Sequence, residues 1–182
     1  MEKVTNNDNI PQIMRIWNKP HTLLWLYTQT GSNQCWRKED GQWLIKDAPF
    51  IDDWTEEDYL FLIDCLKETI AAGGLVQGAF ADQKLKGFVA VLPELFGEEN
   101  QNLDLAAIHV SQDMRNSGIG KALFLTAKQW AKEKGAKKLY ISAHSAVESQ
   151  AFYKKMGCVE ATVYHQKHVE AEPFDFQLEV VL

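Results

Sequence analysis

Arg115-Asn116-Ser117-Gly118-Ile119-Gly120-Lys121 joins two cationic side chains to two glycines, between an apolar run and an amphipathic helix pattern. Glycines let a backbone turn tightly and approach a ligand closely. The first turn of a helix offers unpaired N–H groups and the positive end of the dipole. Together these suit a pyrophosphate, and Arg115 and Lys121 add positive charge beside it. A Walker A loop would need glycine where Arg115 stands and Ser or Thr where Ala122 stands. A dinucleotide fingerprint would need Gly or Ala where Leu123 stands, after an early strand. A glycine-containing turn that only starts a helix remains an alternative for this heptapeptide taken alone.

A second segment, Phe152-Tyr153-Lys154-Lys155-Met156-Gly157-Cys158, follows about one strand–helix unit later. Arg-x-x-Gly-x-Gly followed by Phe-Tyr-x-Lys-x-Gly resembles the GNAT superfamily of acetyl-CoA-dependent N-acetyltransferases. The two signatures cover residues 103–158, and residues 1–74 carry none comparable. The resemblance implies an α/β (α+β) fold: a mixed, mostly antiparallel central sheet, flanking helices, and a parallel strand pair that splays apart to admit pantetheine. Leu103–Val110 and Lys138–Ser142 would be that pair. It also implies backbone contacts to pantetheine from Ile108, His109 and Val110, and pyrophosphate on Asn116, Ser117, Gly118, Ile119, Gly120 and Lys121, with Arg115 leading. Tyr153 and Lys155 of the second signature join this acetyl-CoA site. Where the family commonly has an asparagine, seven residues before the tyrosine, stands Ala146; Ser145 or Ser149 could substitute. The usual phenylalanine after the glycine is Cys158. One domain spans 1–182 on this reading, with a helical acceptor side in 1–74 and a CoA-binding core in 75–182.

Acetyl transfer to an amine sets further requirements. An alkylammonium with a pKa near about 10.4 must lose a proton before its nitrogen attacks a thioester. The departing thiolate then gains from a proton donor, so a base and an acid are expected. The resemblance places Tyr153 near the thioester sulfur, where a phenol with a reference pKa near about 10 can donate. Packing on the sheet is the alternative role for that ring. Asp104, eleven residues ahead of Arg115, is the base candidate, directly or through a water; some family members carry a glutamate at this spacing. A solvent-facing carboxylate is its alternative. His109 alternates to the opposite strand face from Asp104 unless a bulge intervenes. His165 and His168 suit the acceptor pocket, with Glu170 and Glu172 nearby; simple loop residues are the alternative, and no metal is expected. No cysteine stands at a motif position where a covalent intermediate would be expected, so the reaction reads as direct attack in a ternary complex with a small primary amine, or a peptide. The alternative is a CoA-binding sensor without catalysis.

Behind these residues stands a strand–helix–strand core. Thr55 to Ala72 reads as a capped helix with Tyr59, Leu62, Ile63, Leu66 and Ile70 on one stripe. Leu75–Phe80 and Leu85–Val91 read as a hairpin, and Leu103–Val110 as a third strand. Gly118 to Lys134 is helical, Lys138–Ser142 a strand parallel to Leu103–Val110, and Ser145 to Glu148 a capping box opening the next helix. Val159–Tyr164 and Phe176–Leu182 read as final strands. Ile10–Trp17 and Thr22–Thr28 read as short helical pieces, in a region holding five of the six tryptophans; those rings either fill the core or wall an acceptor pocket.

Composition narrows the class. The chain has 182 residues, 46% hydrophobic and 24% charged, with a net charge of −6. That is ordinary globular composition, and the acidic balance argues against a nucleic-acid partner. The acidic stretch Asp47, Asp52, Asp53, Glu56, Glu57, Asp58 either draws a cationic acceptor or supports a helix start. The polar N-terminus lacks a signal-peptide core, and no stretch approaches the roughly 20 apolar residues of a membrane helix. A cytoplasmic protein without membrane association is expected. Cys35, Cys65 and Cys158 are odd in number and far apart, as for thiols in a reducing compartment. A homodimer is compatible with the chain.

Overall fold

The computed structural model describes residues 12–15, 30–52 and 54–182. Ten strands and four helices follow in chain order among them: β1 Gln12–Arg15, β2 Thr30–Glu39, β3 Gln42–Asp52, α1 Glu56–Ala71, β4 Leu75–Ala81, β5 Lys84–Val91, β6 Asn102–Asp104, β7 Ala107–Val110, α2 Ile119–Glu133, β8 Lys138–Ala143, α3 Val147–Lys155, β9 Val159–Glu160, α4 Gln166–Ala171 and β10 Phe176–Val181. One antiparallel sheet has the order β1-β4-β5-β7. A second has the order β6-β8-β10-β9, in which β6 and β8 are parallel and the other pairs antiparallel. The hairpin β2–β3 stands apart from both. No helix among the described residues is long and apolar enough to cross a membrane.

The expected strand 103–110 is therefore two strands that serve different sheets. Asp104 at the end of β6 is in register with Tyr140 of β8, and the Leu105 N–H donates to the Tyr140 carbonyl (2.9 Å). Beyond Ala106 the chain leaves β8, and Ala107–Val110 pairs only with β5. A parallel pair that separates after three residues leaves a gap between β7 and β8.

Helices hold this gap from both sides. α2 buries Ile119, Leu123, Phe124, Ala127 and Trp130 in the main core with Val89, Val91, Leu103, Leu139 and Ile141. Those spacings are the stripe that 3.6 residues per turn demands. α1 buries Ile63 and Leu66 in a second cluster with Val76, Leu85, Phe88 and Ala90. Its start is a complete capping box. The Asp58 N–H donates to Thr55 Oγ1 (3.3 Å), and the Thr55 N–H donates to the Asp58 carboxylate (2.8 Å). These bonds hold the Asp58 carboxyl below its ordinary pKa, so that part of the acidic stretch serves the helix start. Thr55→Ala is expected to destabilise the protein by about 1 kcal/mol, read as a lower urea midpoint at unchanged slope.

Four expectations need correction. Gln12–Arg15 is a strand paired with β4, not helix, because its main chain completes the edge of that sheet; Thr22–Thr28, Trp17 and Trp25 lie outside the described residues. Residues 30–52, within the stretch expected to be a helical acceptor side, form the β2–β3 hairpin around Asp40 and Gly41, both at positive φ (48° and 79°). Such a pair is the signature of a two-residue hairpin turn. The Ser145–Glu148 capping box does not form. Ala146 is the N-cap of α3, with no side-chain cap; Ser145 Oγ accepts from Arg37 (2.6 Å) and the Glu148 carboxylate from the Ser32 hydroxyl (2.9 Å). The strand expected over 159–164 stops at Glu160, and the unforeseen helix α4 fills the path to β10.

Candidate active site

The glycine turn sits where β7 gives way to α2. Ser111 is buried and its N–H donates to the Lys86 carbonyl (2.8 Å), which anchors the approach to β5. One turn of 3-10 helix, Gln112–Met114, follows, and the Ser117 hydroxyl donates back to the Met114 carbonyl (2.5 Å). Asn116 (φ 61°) and Gly118 (φ 91°) are both left-handed. Asparagine tolerates that region better than most residues, and glycine adopts it without strain. The first bond of the α2 ladder runs from the Ala122 N–H to the Gly118 carbonyl (3.0 Å). The N–H groups of Ile119, Gly120 and Lys121 therefore precede the ladder, as in any helix start. Arg115, Asn116, Ser117, Gly118 and Lys121 are exposed. A cradle of open amides edged by two cations fits a phosphate group.

Gly120 serves a different end. A Cβ there would stand 3.3 Å from Phe152 Cε2 and 3.6 Å from Val110 Cγ2. Its lack of a side chain lets α2 approach α3, and so brings the glycine turn to the helix that carries Tyr153. Tyr153 is buried, with its ring against Phe152 (5.2 Å) and Phe124 (6.2 Å). Burial pushes its phenol well above the ordinary tyrosine value, and the Cys158 thiol and the Asp175 carboxylate push it the same way. The phenol is thus a neutral O–H donor at any physiological pH. Ser149 is half-buried on the same helix and Lys155 exposed at its end.

The three residues expected to meet pantetheine, Ile108, His109 and Val110, are half-buried on β7, the end strand of its sheet among the described residues. The His109 ring turns toward Trp54 (4.8 Å, edge-on) and Phe88 (5.3 Å, stacked). It lies away from Asp104, on the α1 side. Ala146 replaces a polar group with a structural one. It bridges to Cys35 of β2, the Ser145 carbonyl accepts from the Trp36 N–H (2.8 Å), and the Ala146 N–H donates to His144 Nδ1 (2.9 Å). Ser145 is committed to Arg37 in the same seam.

Asp104 is not a solvent-facing carboxylate. Its side chain is 8% exposed, and Oδ2 lies 2.6 Å from Nε2 of His168, which is 29% exposed. Around this pair stand Tyr140, stacked on His168 (6.0 Å), and His165, between His168 (5.0 Å) and Phe96 (4.8 Å). The His165 N–H donates to the Tyr140 hydroxyl (2.8 Å), which donates onward to Gln177 Oε1 (2.6 Å). The hydrogen bond to Asp104 holds the His168 pKa above its usual value; burial opposes this, and the charges of Asp104 and Asp175 reinforce it. Sequence alone set His168 near the acceptor pocket. Its bond to Asp104, 64 residues away, has no local signal.

The sequence model of the Acetyltransferase (GNAT) family matches residues 34–158. No curated protein matches the chain. Among solved structures, nourseothricin acetyltransferase superposes with a TM-score of 0.71 at 16% identity, covering 94% of this chain and 98% of that one. A candidate streptothricin acetyltransferase of Bacillus anthracis str. Ames, in complex with acetyl coenzyme A, gives 0.64 at 16% identity, covering 97% and 98%. PaiA N-acetyltransferase of Thermoplasma acidophilum, in complex with coenzyme A, gives 0.61 at 19% identity, covering 94% and 99%. At these identities the likeness speaks for the fold, and the two split sheets with a glycine turn at the gap are that fold. The family match spans more than half of the sequence and includes the turn and Tyr153, so the chain belongs to the acetyltransferase (GNAT) family.

Proposed function

We propose that the chain is an N-acetyltransferase that moves an acetyl group from acetyl-CoA to the primary amine of a small-molecule or peptide acceptor, by direct attack in a ternary complex. The observation that supports this is the proximity of three elements: the open amide turn 116–121, β7, which is the end strand of its sheet among the described residues, and α3 with the buried neutral phenol of Tyr153, which Gly120 joins through Val110 and Phe152. On this reading the turn holds the pyrophosphate with Arg115 and Lys121, and Ile108, His109 and Val110 hold pantetheine through their main chain. Ser149 takes the polar contact that Ala146 does not supply, and Lys155 lies at the cofactor's rim. The segment 1–74 forms the acceptor side and 75–182 the CoA-binding core of a single domain.

The ammonium acceptor first loses a proton to the Asp104 site. Its nitrogen then attacks the thioester carbonyl, the C–S bond breaks, and the sulfur takes the Tyr153 proton, which solvent restores. The products are the acetamide and free CoA thiol. Asp104, Asp175 and Glu172 near the gap favour a cationic acceptor. The names of the two neighbours linked to nourseothricin and streptothricin support an amine acceptor and make streptothricin the first one to test.

The test is CoA thiol release with acetyl-CoA and streptothricin, lysine, spermidine or an aminoglycoside. Release that depends on one amine class is the expected result. Tight acetyl-CoA binding with no release from any of them would instead assign a sensing module.

A further inference from the structure

We propose that His168, oriented by Asp104, is the base that takes the proton from the acceptor amine, and that Asp104 is a positioning residue. This rests on the acetyltransferase reading above and refines who acts within it.

Exposure divides the pair. The Asp104 side chain is 8% exposed and walled by β8, whereas His168 is 29% exposed on α4. The imidazole is open to an incoming amine where the carboxylate is covered. The bond fixes the imidazole's state as well as its place. A carboxylate only accepts, so the proton shared at 2.6 Å sits on Nε2, and in the neutral ring Nδ1 is left with the lone pair. The other carboxylate oxygen, Oδ1, is buried without a hydrogen-bond partner, so the imidazole is the group that answers this charge among the described residues.

The ring is held on every side. Tyr140 of β8 stacks on it, His165 at the α4 N-cap packs beside it, and the His165 N–H tethers α4 to the Tyr140 hydroxyl. The titratable groups that face it among the described residues are Asp104 from β6, Tyr140 from β8, His165 from its own helix start and Asp175 from the approach to β10. The two carboxylates favour the imidazolium, and a neutral phenol does not oppose it. Burial alone works the other way, and the pair with Asp104 outweighs it.

Proton affinity favours the same assignment. Against an ammonium near about 10.4, a carboxylate near about 3.9 is more than six orders of magnitude too weak, and an imidazole near about 6.5 is about four. Raising the imidazole narrows that gap. A base must be unprotonated to act, so kcat/KM rises with pH through the His168 pKa, which lies above the ordinary histidine value.

The experiment is kcat/KM against pH for wild type, His168→Gln and Asp104→Asn, with acetyl-CoA and the amine that releases CoA fastest. It is joined to an NMR titration of the His168 ring and to calorimetric binding of acetyl-CoA. We expect His168→Gln to lower kcat about 100-fold or more, to remove the low-pH limb and to leave acetyl-CoA binding unchanged. Asp104→Asn should shift both the limb and the ring titration to lower pH, with a smaller loss of kcat. Wild-type turnover and an unmoved limb in His168→Gln would overturn the assignment, as would a ring that titrates identically in Asp104→Asn. Absence of acetyl-CoA binding, or binding without any thiol release in wild type, marks failure of the acetyltransferase reading itself, and the base assignment falls with it.

Discussion

Replacing Tyr153 with phenylalanine lowers kcat for acetyl transfer by about 100- to 1,000-fold and leaves the acetyl-CoA Kd within about twofold. The reasoning starts from burial. The ring is packed between Phe124 and Phe152 inside the main core, and phenylalanine keeps every one of those ring contacts. Only the O–H is lost, which is the proton source in the proposed reaction. Burial raises the phenol above its ordinary pKa, so it stays protonated across the working range, and no high-pH fall in rate comes from it. Rapid-quench single turnover separates this effect from product release. The same shift has a stability consequence with a definite sign. The unfolded phenol ionises near about 10, while the folded one resists. The stability it contributes is whole below that pH and is lost as pH rises through and beyond it. Wild type should therefore lose more stability than Tyr153→Phe between neutral and strongly alkaline pH, measured by urea unfolding.

Valine at Gly120 weakens acetyl-CoA binding about 100-fold, and valine at Gly118 weakens it about tenfold, the equivalent of about 1.4 kcal/mol. The two act by different physics. Gly118 has open space where a Cβ would go, but its φ of 91° is one that a β-branched residue resists. The cost is about 1–2 kcal/mol of backbone strain, and relief of that strain turns the amides of the cradle away from the ligand. Gly120 has an ordinary helical backbone and no room. Its Cβ would already stand 3.3 Å from Phe152, and the two further methyls of valine push α2 away from α3 and β7. That displaces the cradle, the pantetheine edge and the neighbour of Tyr153 together. Arg115→Ala, by contrast, removes an exposed charge that salt screens, and should weaken binding only about threefold. Calorimetry with acetyl-CoA at two salt concentrations distinguishes the three, because only the arginine effect shrinks as salt rises.

The order of these effects follows what the sequence could and could not reveal. The turn was legible because glycines stand at a strand-to-helix boundary, and Tyr153 because Phe-Tyr-x-Lys-x-Gly resembles a family signature. α1, α2 and the β4–β5 hairpin were legible from local pattern, since their apolar spacing matches where they are buried. The β2–β3 hairpin had a local signal, Asp40-Gly41, that the irregular hydrophobic pattern of its long exposed strands obscured. The break between β6 and β7 had none. Leu103–Val110 reads as one strand, and only the competition of β8 and β5 for its two halves divides it. The failed capping box at Ser145 is a case of tertiary override. Its serine and glutamate are of the right type, but Arg37 and Ser32 of β2 reach them first. The Asp104–His168 pair lies beyond any local rule, because two separate elements must fold against Tyr140 before the residues meet.

Amide chemical shifts during titration with acetyl-CoA address the cradle most directly. The account predicts that the resonances of residues 116–121 and 108–110 move together and saturate at one stoichiometric equivalent, and that Gly118→Val moves this saturation to about tenfold higher acetyl-CoA. Saturable binding that moves amides elsewhere and leaves 116–121 in place would contradict it.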